Sequence, residues 1–378
     1  DIPMPDEGDP WNYWMPKLVS SAAQLCNREL VTALIDPIID RQVPTLHPTP
    51  EEMMRVINMA FLTGANQVTS YIPWEPYEPA VYRSFNEQVG RLAVMLRGAS
   101  NASTIGMYYP IETSQSLYLP TPKNFWESQA DCPEAYAARQ TQDRLSRRLF
   151  ENGYDFSWLD GAAILAGRLR NGRLVVGHHE YTSIIMPQVG LLPLQVMRRL
   201  HDFQQAGGQV LWVNSRPRLG DASEEHAEIR ELGASFPVVL DPINALVCGW
   251  DGDFSLTFEV DHAQVMVTRY RRQERCLYFM VNRTAERLTV PLSSATTSSI
   301  IICDPTTGAM EAQRLPLSLE IGAYQSRLAV DPTPPPYEPA GPGEMMPWQK
   351  PLPVCVNGIS NLARQAMTTA SSTHPNPV

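Results

Sequence analysis

An aromatic and acidic loop, YIPWEPYEP at residues 71–79, combines the side-chain types that sugar recognition needs. Trp74 and Tyr77 offer aromatic faces that stack on the apolar faces of sugar rings. Glu75 supplies a carboxylate that can bond hydroxyl groups or move a proton at a glycosidic bond. The loop follows an expected parallel strand, and ligand sites of α/β barrels gather at the carboxyl ends of their strands. A proline-stiffened surface loop with solvated acids is the alternative interpretation.

The glycine pair Gly207-Gly208, in HDFQQAGGQVLWVNS, raises the question of a phosphate site. A phosphate loop needs its glycines after a strand and before a helix, where backbone N–H groups point at the anion. Here the order is reversed, because a helical run precedes the pair and an apolar strand follows it. We therefore predict a left-handed helix C-cap. We expect any ligand of this segment at the strand's carboxyl end, near Asn214, Ser215 and Arg216.

The sequence gives little indication of a metal site or of a catalytic nucleophile. His178 and His179 are adjacent and have only one carboxylate beside them, which predicts a solvated loop rather than a metal site. The six cysteines occur singly, without a CxxC pair, and Cys248 lacks the strand–turn–helix setting of a nucleophile. Asn101 and Asn282 stand in glycosylation sequons, which matter only in a eukaryotic secretory route. We predict neither a metal nor any other cofactor.

The strongest helix start in the chain lies in TPEEMMRVINMAFLTG, residues 49–64. Thr49 is placed to cap the helix, Pro50 occupies the first helical position, and Glu52 completes a capping box. Apolar residues then recur at helical spacing, and Gly64 is expected to end the helix. This helix separates the strand-like run RELVTALI from the strand-like run NQVTSYI, so the segment reads strand, helix, strand.

The hydrophobic pattern changes along the chain and divides it into four parts. Residues 1–97 alternate strand and helix, which predicts parallel pairing of the strands. Residues 98–245 repeat that alternation as a small doubly wound α/β domain. Residues 246–330 change to short strands at regular spacing, which is typical of an antiparallel β-sandwich. Prolines dominate the start of residues 331–378, which are predicted to form a linker and tail.

Composition restricts the class of partner. The chain of 378 residues has a formal net charge of −10 and 43% hydrophobic residues. The negative charge argues against nucleic acid or an anionic membrane surface and fits a neutral or polar small molecule. Prolines interrupt the longest apolar run, SIIMPQVGLLPLQVM, so no membrane span is predicted. The opening residues, DIPMPDEGDPWNYW, look like the interior of a chain, and we expect a processed product or a piece of a longer protein.

Several stretches carry a family resemblance when they are taken in order. KLVSSAAQLCNRELVTALIDP is similar to a late barrel strand, and TPEEMMRVINMAFLTGANQVTSYIPW with FNEQVGRLAVML is similar to closing barrel units. IGMYYPIETSQSLY, LFENGYDFSWLD and the stretch from RLVVGHHEY to QVLWV resemble a flavodoxin-like domain, which is similar to the trimerisation domain of some β-galactosidases. YFMVNRTAERLTVPL with CDPTTGAM resembles a following β-sandwich. Together they resemble the C-terminal half of barrel glycosidases of the α-L-rhamnosidase type, glycoside hydrolase family 106.

The resemblance implies an α/β fold with a partial (β/α) barrel over residues 1–97, followed by a flavodoxin-like domain and a small antiparallel β-sandwich. Its first part is about a third of the roughly 250 residues of a full barrel. The implied ligand is a carbohydrate or glycoside. The resemblance further implies a homo-oligomer, or association with a missing N-terminal part of a longer chain, and an extracellular or periplasmic location.

The same resemblance places a leucine, Leu34, where the family's strand carries its catalytic carboxylate, and Gln24 where the family carries a histidine. Asp36 and Glu75 are then the best remaining catalytic acids, with the two rings of the 71–79 loop as a substrate-binding platform. One hypothesis is a glycoside hydrolase that acts by acid and base catalysis. The alternative is a non-catalytic structural or carbohydrate-binding relative that has lost the carboxylate. A small-molecule sensor built on the flavodoxin-like domain is a third.

Overall fold

The chain forms two compact units, residues 1–336 and residues 337–378. The computed structural model describes the following residues of these units: 2–3, 14–35, 49–70, 76–118, 122, 132–246, 254–273, 275–331, 355–356 and 359–360. Within them the first unit is mixed α/β, with several separate sheets.

A three-stranded parallel sheet begins the first unit, with strands in the order β1-β2-β3. Its strands are β1 (Ile2–Pro3), β2 (Thr32–Ile35) and β3 (Gln67–Ser70). The accompanying helices are α1 (Trp14–Leu25), α2 (Pro50–Leu62) and α3 (Pro79–Leu96). The predicted parallel pairing of β2 and β3 is confirmed. Three described strands do not make a closed barrel, so the partial barrel stays a prediction.

Helix α2 begins as its sequence predicts. The Thr49 side chain accepts a hydrogen bond from the Glu52 backbone N–H at 3.2 Å, and the Glu52 carboxylate accepts one from the Thr49 N–H at 2.7 Å. These reciprocal bonds satisfy two backbone donors that the first helical turn leaves unpaired. One face of the helix is buried, and Gly64 follows its end with a φ of 110°.

A five-stranded, wholly parallel sheet forms the middle of the first unit. Its strands are β5 (Ile105–Tyr108), β6 (Ser157–Leu159), β10 (Ser183–Met186), β11 (Gln209–Val213) and β12 (Val238–Val239). They lie in the order β6-β5-β10-β11-β12, so that the second strand along the chain stands at the edge beside the first. This is the strand order of flavodoxin-like folds.

Helices surround the five-stranded sheet, and a small antiparallel meander interrupts its connections. The helices are α4 (Ile111–Leu117), α5 (Pro133–Phe150), α6 (Gly161–Ala166), α7 (Leu194–Gln205) and α8 (His226–Ala234). The meander consists of β7 (Arg168–Arg170), β8 (Arg173–Val176) and β9 (His179–Tyr181). Its first two strands form a hairpin over the stretch RLRNGRLVV.

The glycine pair ends helix α7 and leads into strand β11. The N–H of Gly208 donates to the Phe203 carbonyl oxygen at 2.9 Å, and the N–H of Gly207 donates to the Gln204 carbonyl oxygen at 3.0 Å. Gly207 has a φ of 97°, so the pair forms a left-handed Schellman cap. The predicted helix C-cap is confirmed.

Two antiparallel sheets form the β-rich part of the first unit. The first contains, in order, β13 (Leu256–Phe258), β16 (Leu288–Ser294) and β19 (Leu317–Ile321). The second contains, in order, β18 (Met310–Arg314), β17 (Ser299–Cys303), β20 (Ser326–Val330), β15 (Arg275–Asn282), β14 (Val265–Arg272) and β4 (Ser100–Asn101). Fully buried side chains of both sheets, Tyr278 and Val290 among them, share one apolar cluster, as in a sandwich.

The largest apolar cluster crosses the segments that the sequence separates. It joins Phe61 of α2 and Leu92 of α3 to Trp158 of β6 and to Phe279 of β15. Strand β4 also belongs to this connection, because residues 100–101 pair with β14 rather than with the five-stranded sheet. The helices of the first segment, the five-stranded sheet and the sandwich therefore share a continuous core.

The second unit contains a two-stranded antiparallel hairpin in its described residues. Its strands are β21 (Cys355–Val356) and β22 (Ile359–Ser360), paired as Cys355 with Ser360 and Val356 with Ile359.

Candidate functional site

The candidate sugar site depends on the carboxyl edge of the three-stranded sheet. Strands β2 and β3 run parallel and end together, because their last residues, Ile35 and Ser70, are register partners. Adjacent strands lie about 4.8 Å apart, so the carboxyl ends of β2 and β3 lie side by side. The predicted residues Asp36, Trp74 and Glu75 belong to these segments but lie outside the described residues.

Tyr77 is the predicted platform residue that the structure describes. Its side chain is half-buried and packs against the largest apolar cluster. Burial, and secondarily the negative charge of Glu52, raise the pKa of the Tyr77 phenol above its usual value. Packing against the core therefore covers part of the Tyr77 ring.

Glu52 is the carboxylate that the electrostatics connect with Tyr77, and the sequence identified it through the capping box. Its oxygen accepts the Thr49 N–H, and its negative charge contributes to the raised pKa of Tyr77. Its first role in the described structure is therefore to cap α2.

Gln24, which aligns with the family's histidine, belongs to a different contact. It lies near the end of α1, and its side-chain oxygen accepts a hydrogen bond from the Ser157 hydroxyl at 3.1 Å. Three residues earlier, the Ser21 hydroxyl accepts the backbone N–H of Trp158 at 2.9 Å. Both partners lie on β6, so this stretch of α1 docks on the five-stranded sheet.

A buried ion pair completes the docking of α1. The Lys17 ammonium lies 2.8 Å from an Asp155 carboxylate oxygen, and the two side chains expose 1% and 7% of their surfaces. The same carboxylate accepts hydrogen bonds from the Asn101 amide and from the Phe156 N–H. A buried charge is stable only with such partners. Asn101, which is buried, is thus a structural residue in this fold.

The histidine pair differs from the prediction in one respect. His178 is exposed in a turn, but His179 belongs to strand β9 and is half-buried. The prediction of a solvated loop is therefore wrong for His179, because pairing with Val176 turns its ring inward. Burial first, then the neighbouring His178 and Lys17, lower the pKa of His179 to about 4. The described residues contain no group of three or more His, Cys, Asp or Glu side chains placed to hold a metal ion.

The carboxyl edge of the five-stranded sheet is closed where doubly wound folds hold their ligands. The chain order changes direction between β5 and β10, which is the expected ligand crevice. There the buried Thr113 hydroxyl donates to the Leu191 carbonyl oxygen at 3.0 Å. It also accepts the N–H groups of Gly190 and Leu191 at 3.1 Å each. One side chain of α4 thus binds the loop after β10 across the crevice.

Of the three ligand residues predicted after strand β11, one makes a structural contact within the fold. The Arg216 guanidinium donates to the Phe236 carbonyl oxygen and so holds the loop before β12. Asn214 is exposed and has a left-handed φ of 65°, and Ser215 beside it is half-buried. Arg216 therefore serves the fold, whereas a ligand role for Asn214 and Ser215 stays a prediction.

The fold is similar to solved glycoside hydrolases. A rhamnosidase from Novosphingobium sp. PP1Y matches with a TM-score of 0.56 at 15% identity, over 82% of this chain and 32% of the rhamnosidase. A catalytic mutant of Gan42B, a GH42 β-galactosidase from G. stearothermophilus, matches at 0.54 and 12% identity, over 84% of this chain and 56% of that one. A β-galactosidase from a Rahnella species matches at 0.50 and 12% identity, over 86% and 58% of the two chains.

The comparisons establish a glycosidase-like fold at low sequence identity. The chain spans about a third of the rhamnosidase and less than two thirds of the two β-galactosidases. No protein-family model matches the chain, and no curated protein matches its sequence. Of the helices that the structure describes, none combines the length and apolar character needed to cross a membrane.

Proposed function

We propose that this chain binds glycosides on a glycoside-hydrolase scaffold, at the carboxyl edge of the β1-β2-β3 sheet. The observation that carries the proposal is the register of β2 and β3. Their last residues, Ile35 and Ser70, are partners. In the sequence Asp36 directly follows the first of them, and Trp74 and Glu75 follow the second within one short loop. Parallel α/β folds bind their ligands at this edge.

The residue types at this edge suit a sugar. Trp74 and Tyr77 provide aromatic surface for the apolar face of a pyranose ring, and Asp36 and Glu75 provide acceptors for its hydroxyl groups. Rhamnose- and galactose-containing glycosides are the first candidates, since the structural neighbours include a rhamnosidase and β-galactosidases. We take the three-stranded sheet as the closing units of a barrel whose other strands belong to a longer protein or to a partner.

Hydrolysis is the second candidate function, and the same register favours it. A glycosidase needs two carboxyl groups about 5 Å apart for retention, or about 6.5–9.5 Å apart for inversion. Asp36 and Glu75, which follow neighbouring strands in the sequence, are the two carboxyl groups that we propose for this role. Leu34 at the position of the family's catalytic carboxylate favours binding without hydrolysis.

The test combines binding and turnover on the same protein. Titration calorimetry with rhamnose- and galactose-containing oligosaccharides is expected to show binding, and Trp74→Ala is expected to weaken it about tenfold, through loss of one stacking contact. Tyr118→Ala, which removes an exposed ring elsewhere on the fold, is the matched control. Equal affinities in both variants, or no binding by the unmodified chain, would refute the proposal.

Turnover separates the two candidate functions. The assay measures release of 4-nitrophenol from 4-nitrophenyl rhamnosides and galactosides. Release that is abolished by Asp36→Asn or Glu75→Gln would establish hydrolysis at this edge. Binding that persists without release of the leaving group would establish the non-catalytic function.

A further inference from the structure

The meander β7-β8-β9 presents a basic face on an acidic protein. Its inner face is buried, because Leu174 and its register partner Tyr181 are fully covered. Side chains alternate between the faces of a strand, so Arg168, Arg170 and Arg173 lie together on the outer face. We call these three residues the arginine face.

The arginine face holds two guanidinium groups opposite each other. Arg170 and Arg173 are register partners across the two-residue turn Asn171-Gly172, both of which have positive φ values, 50° and 73°. Like charges directly opposite each other in a sheet destabilise it. An anion placed between the two guanidiniums would remove that repulsion.

Arg173 differs from the other two arginines because it has an ionic partner within the fold. Glu180 lies 3.2 Å from Arg173, but this pair is partly exposed, with 40% of the Glu180 side chain in solvent. Such pairs contribute little and exchange readily with solvent or ligand. Among the described residues, neither Arg168 nor Arg170 forms an ion pair with a carboxylate.

A shallow cavity of about 140 Å³ lies at this end of the meander, lined by Arg170, Asn171, Arg173 and Glu180. The space corresponds to about four or five water molecules, so it suits a single charged group of a ligand rather than a whole polymer. Guanidinium groups match planar carboxylates with paired hydrogen bonds. Asn171 and Glu180 can then bond neighbouring hydroxyl groups.

We infer that the arginine face binds the carboxylate of an acidic sugar, such as a uronic acid residue of an oligosaccharide. This goes beyond the proposed function and rests on it, since it names a charged class of carbohydrate and a surface separate from the sheet edge. A saccharide with spaced carboxylates is favoured over nucleic acid because the chain carries a net charge of −10, which repels a continuous polyanion. The arginine face is locally positive although the net charge of the chain is negative.

The experiment is a titration of the full chain with trigalacturonate at low ionic strength. We expect binding that weakens as salt is added, and that falls about tenfold in Arg170→Gln, which removes one charge-assisted contact. Arg230→Gln, an exposed arginine on α8, is the matched control and should bind as the unmodified chain does. Thermal unfolding followed by circular dichroism shows whether each variant is folded.

Several outcomes would overturn the inference. Equal weakening in Arg170→Gln and Arg230→Gln would assign the binding to general charge. Sulfate or a single-stranded oligonucleotide that competes as well as trigalacturonate would assign the face to another anion. If Trp74→Ala abolishes trigalacturonate binding and Arg170→Gln does not, the acidic sugar binds at the sheet edge. That result would refute the inference about the arginine face and support the proposed function. Binding at the arginine face without any binding of neutral glycosides would refute the proposed function instead.

Discussion

The buried ion pair between Lys17 and Asp155 gives a prediction whose size follows from the structure. Lys17→Met keeps most of the aliphatic stem and removes the ammonium that lies 2.8 Å from the carboxylate. Asp155 would keep the Asn101 amide and the Phe156 N–H as donors, but its charge would lose the neighbouring cation. We expect the free energy of unfolding to fall by about 3–5 kcal/mol, because removal of one partner leaves the other charge buried and uncompensated.

Denaturant unfolding followed by tryptophan fluorescence measures this change, since Trp158 is buried in the strand that begins just after Asp155. The cycle with Asp155→Asn adds a second test. The double variant should lose about 1–3 kcal/mol less than the two single losses together, as expected for coupled neighbours. Additive losses would show that the two charges do not stabilise each other.

A matched control distinguishes burial from charge. Arg148 pairs with Asp241 at the same distance, 2.8 Å, but exposes 52% of its side chain. Arg148→Met should therefore cost less than about 1 kcal/mol. If Lys17→Met and Arg148→Met shift the unfolding midpoint equally, the reasoning from burial is refuted.

Three further predictions concern single positions. Gly208→Ala should destabilise the fold by about 1–3 kcal/mol in denaturant unfolding, because the added Cβ would lie 2.1 Å from the Phe203 ring; an unchanged midpoint would contradict the tight cap. Thr113→Val should cost about 1–3 kcal/mol and speed hydrogen exchange at residues 190–191, whose N–H groups lose their acceptor; unchanged exchange would argue against a closed crevice. His179 has its pKa lowered to about 4, so stability should fall as the pH drops from about 6.5 towards 4, by at most about 3 kcal/mol. His179→Gln should flatten this part of the pH profile, and an unaltered profile would assign the loss to other groups.

The local parts of the fold could be predicted because their causes are local. The capping box of α2 needs only Thr49 and Glu52 at the right spacing, and both bonds form. The left-handed cap at Gly207 follows from a helix pattern before it and a strand pattern after it. In each case the interacting residues lie within about one helical turn of each other, so the sequence alone is enough to predict the contact.

The contacts between distant residues could not be predicted in this way. The bond from Thr113 to Leu191 joins residues 78 positions apart, and it closes a crevice that the strand order alone would leave open. The inward turn of His179 depends on its pairing with Val176 within the meander. Periodicity describes which face of one element is apolar, but it does not say which polar side chain meets which loop.

The pairing that underlies the candidate site was predictable, whereas the site itself stays a prediction. The alternation of strand and helix predicted parallel strands, and the observed register of β2 and β3 agrees. The alternation did not indicate that the Tyr77 ring packs against the largest apolar cluster. That contact depends on buried residues that are distant in the sequence.

The scaffold and the chemistry of this fold rest on different residues. The largest core joins α2, α3, the five-stranded sheet and the sandwich through apolar side chains, and a catalytic carboxylate contributes nothing to such burial. A chain that lacks such a carboxylate can therefore keep this core, and Leu34, where the family resemblance expects an acid, is compatible with a stable fold. For the same reason a glycosidase-like fold cannot decide between binding and hydrolysis. Variants at Asp36 and Glu75 decide it, because they change the acids and leave the described core intact.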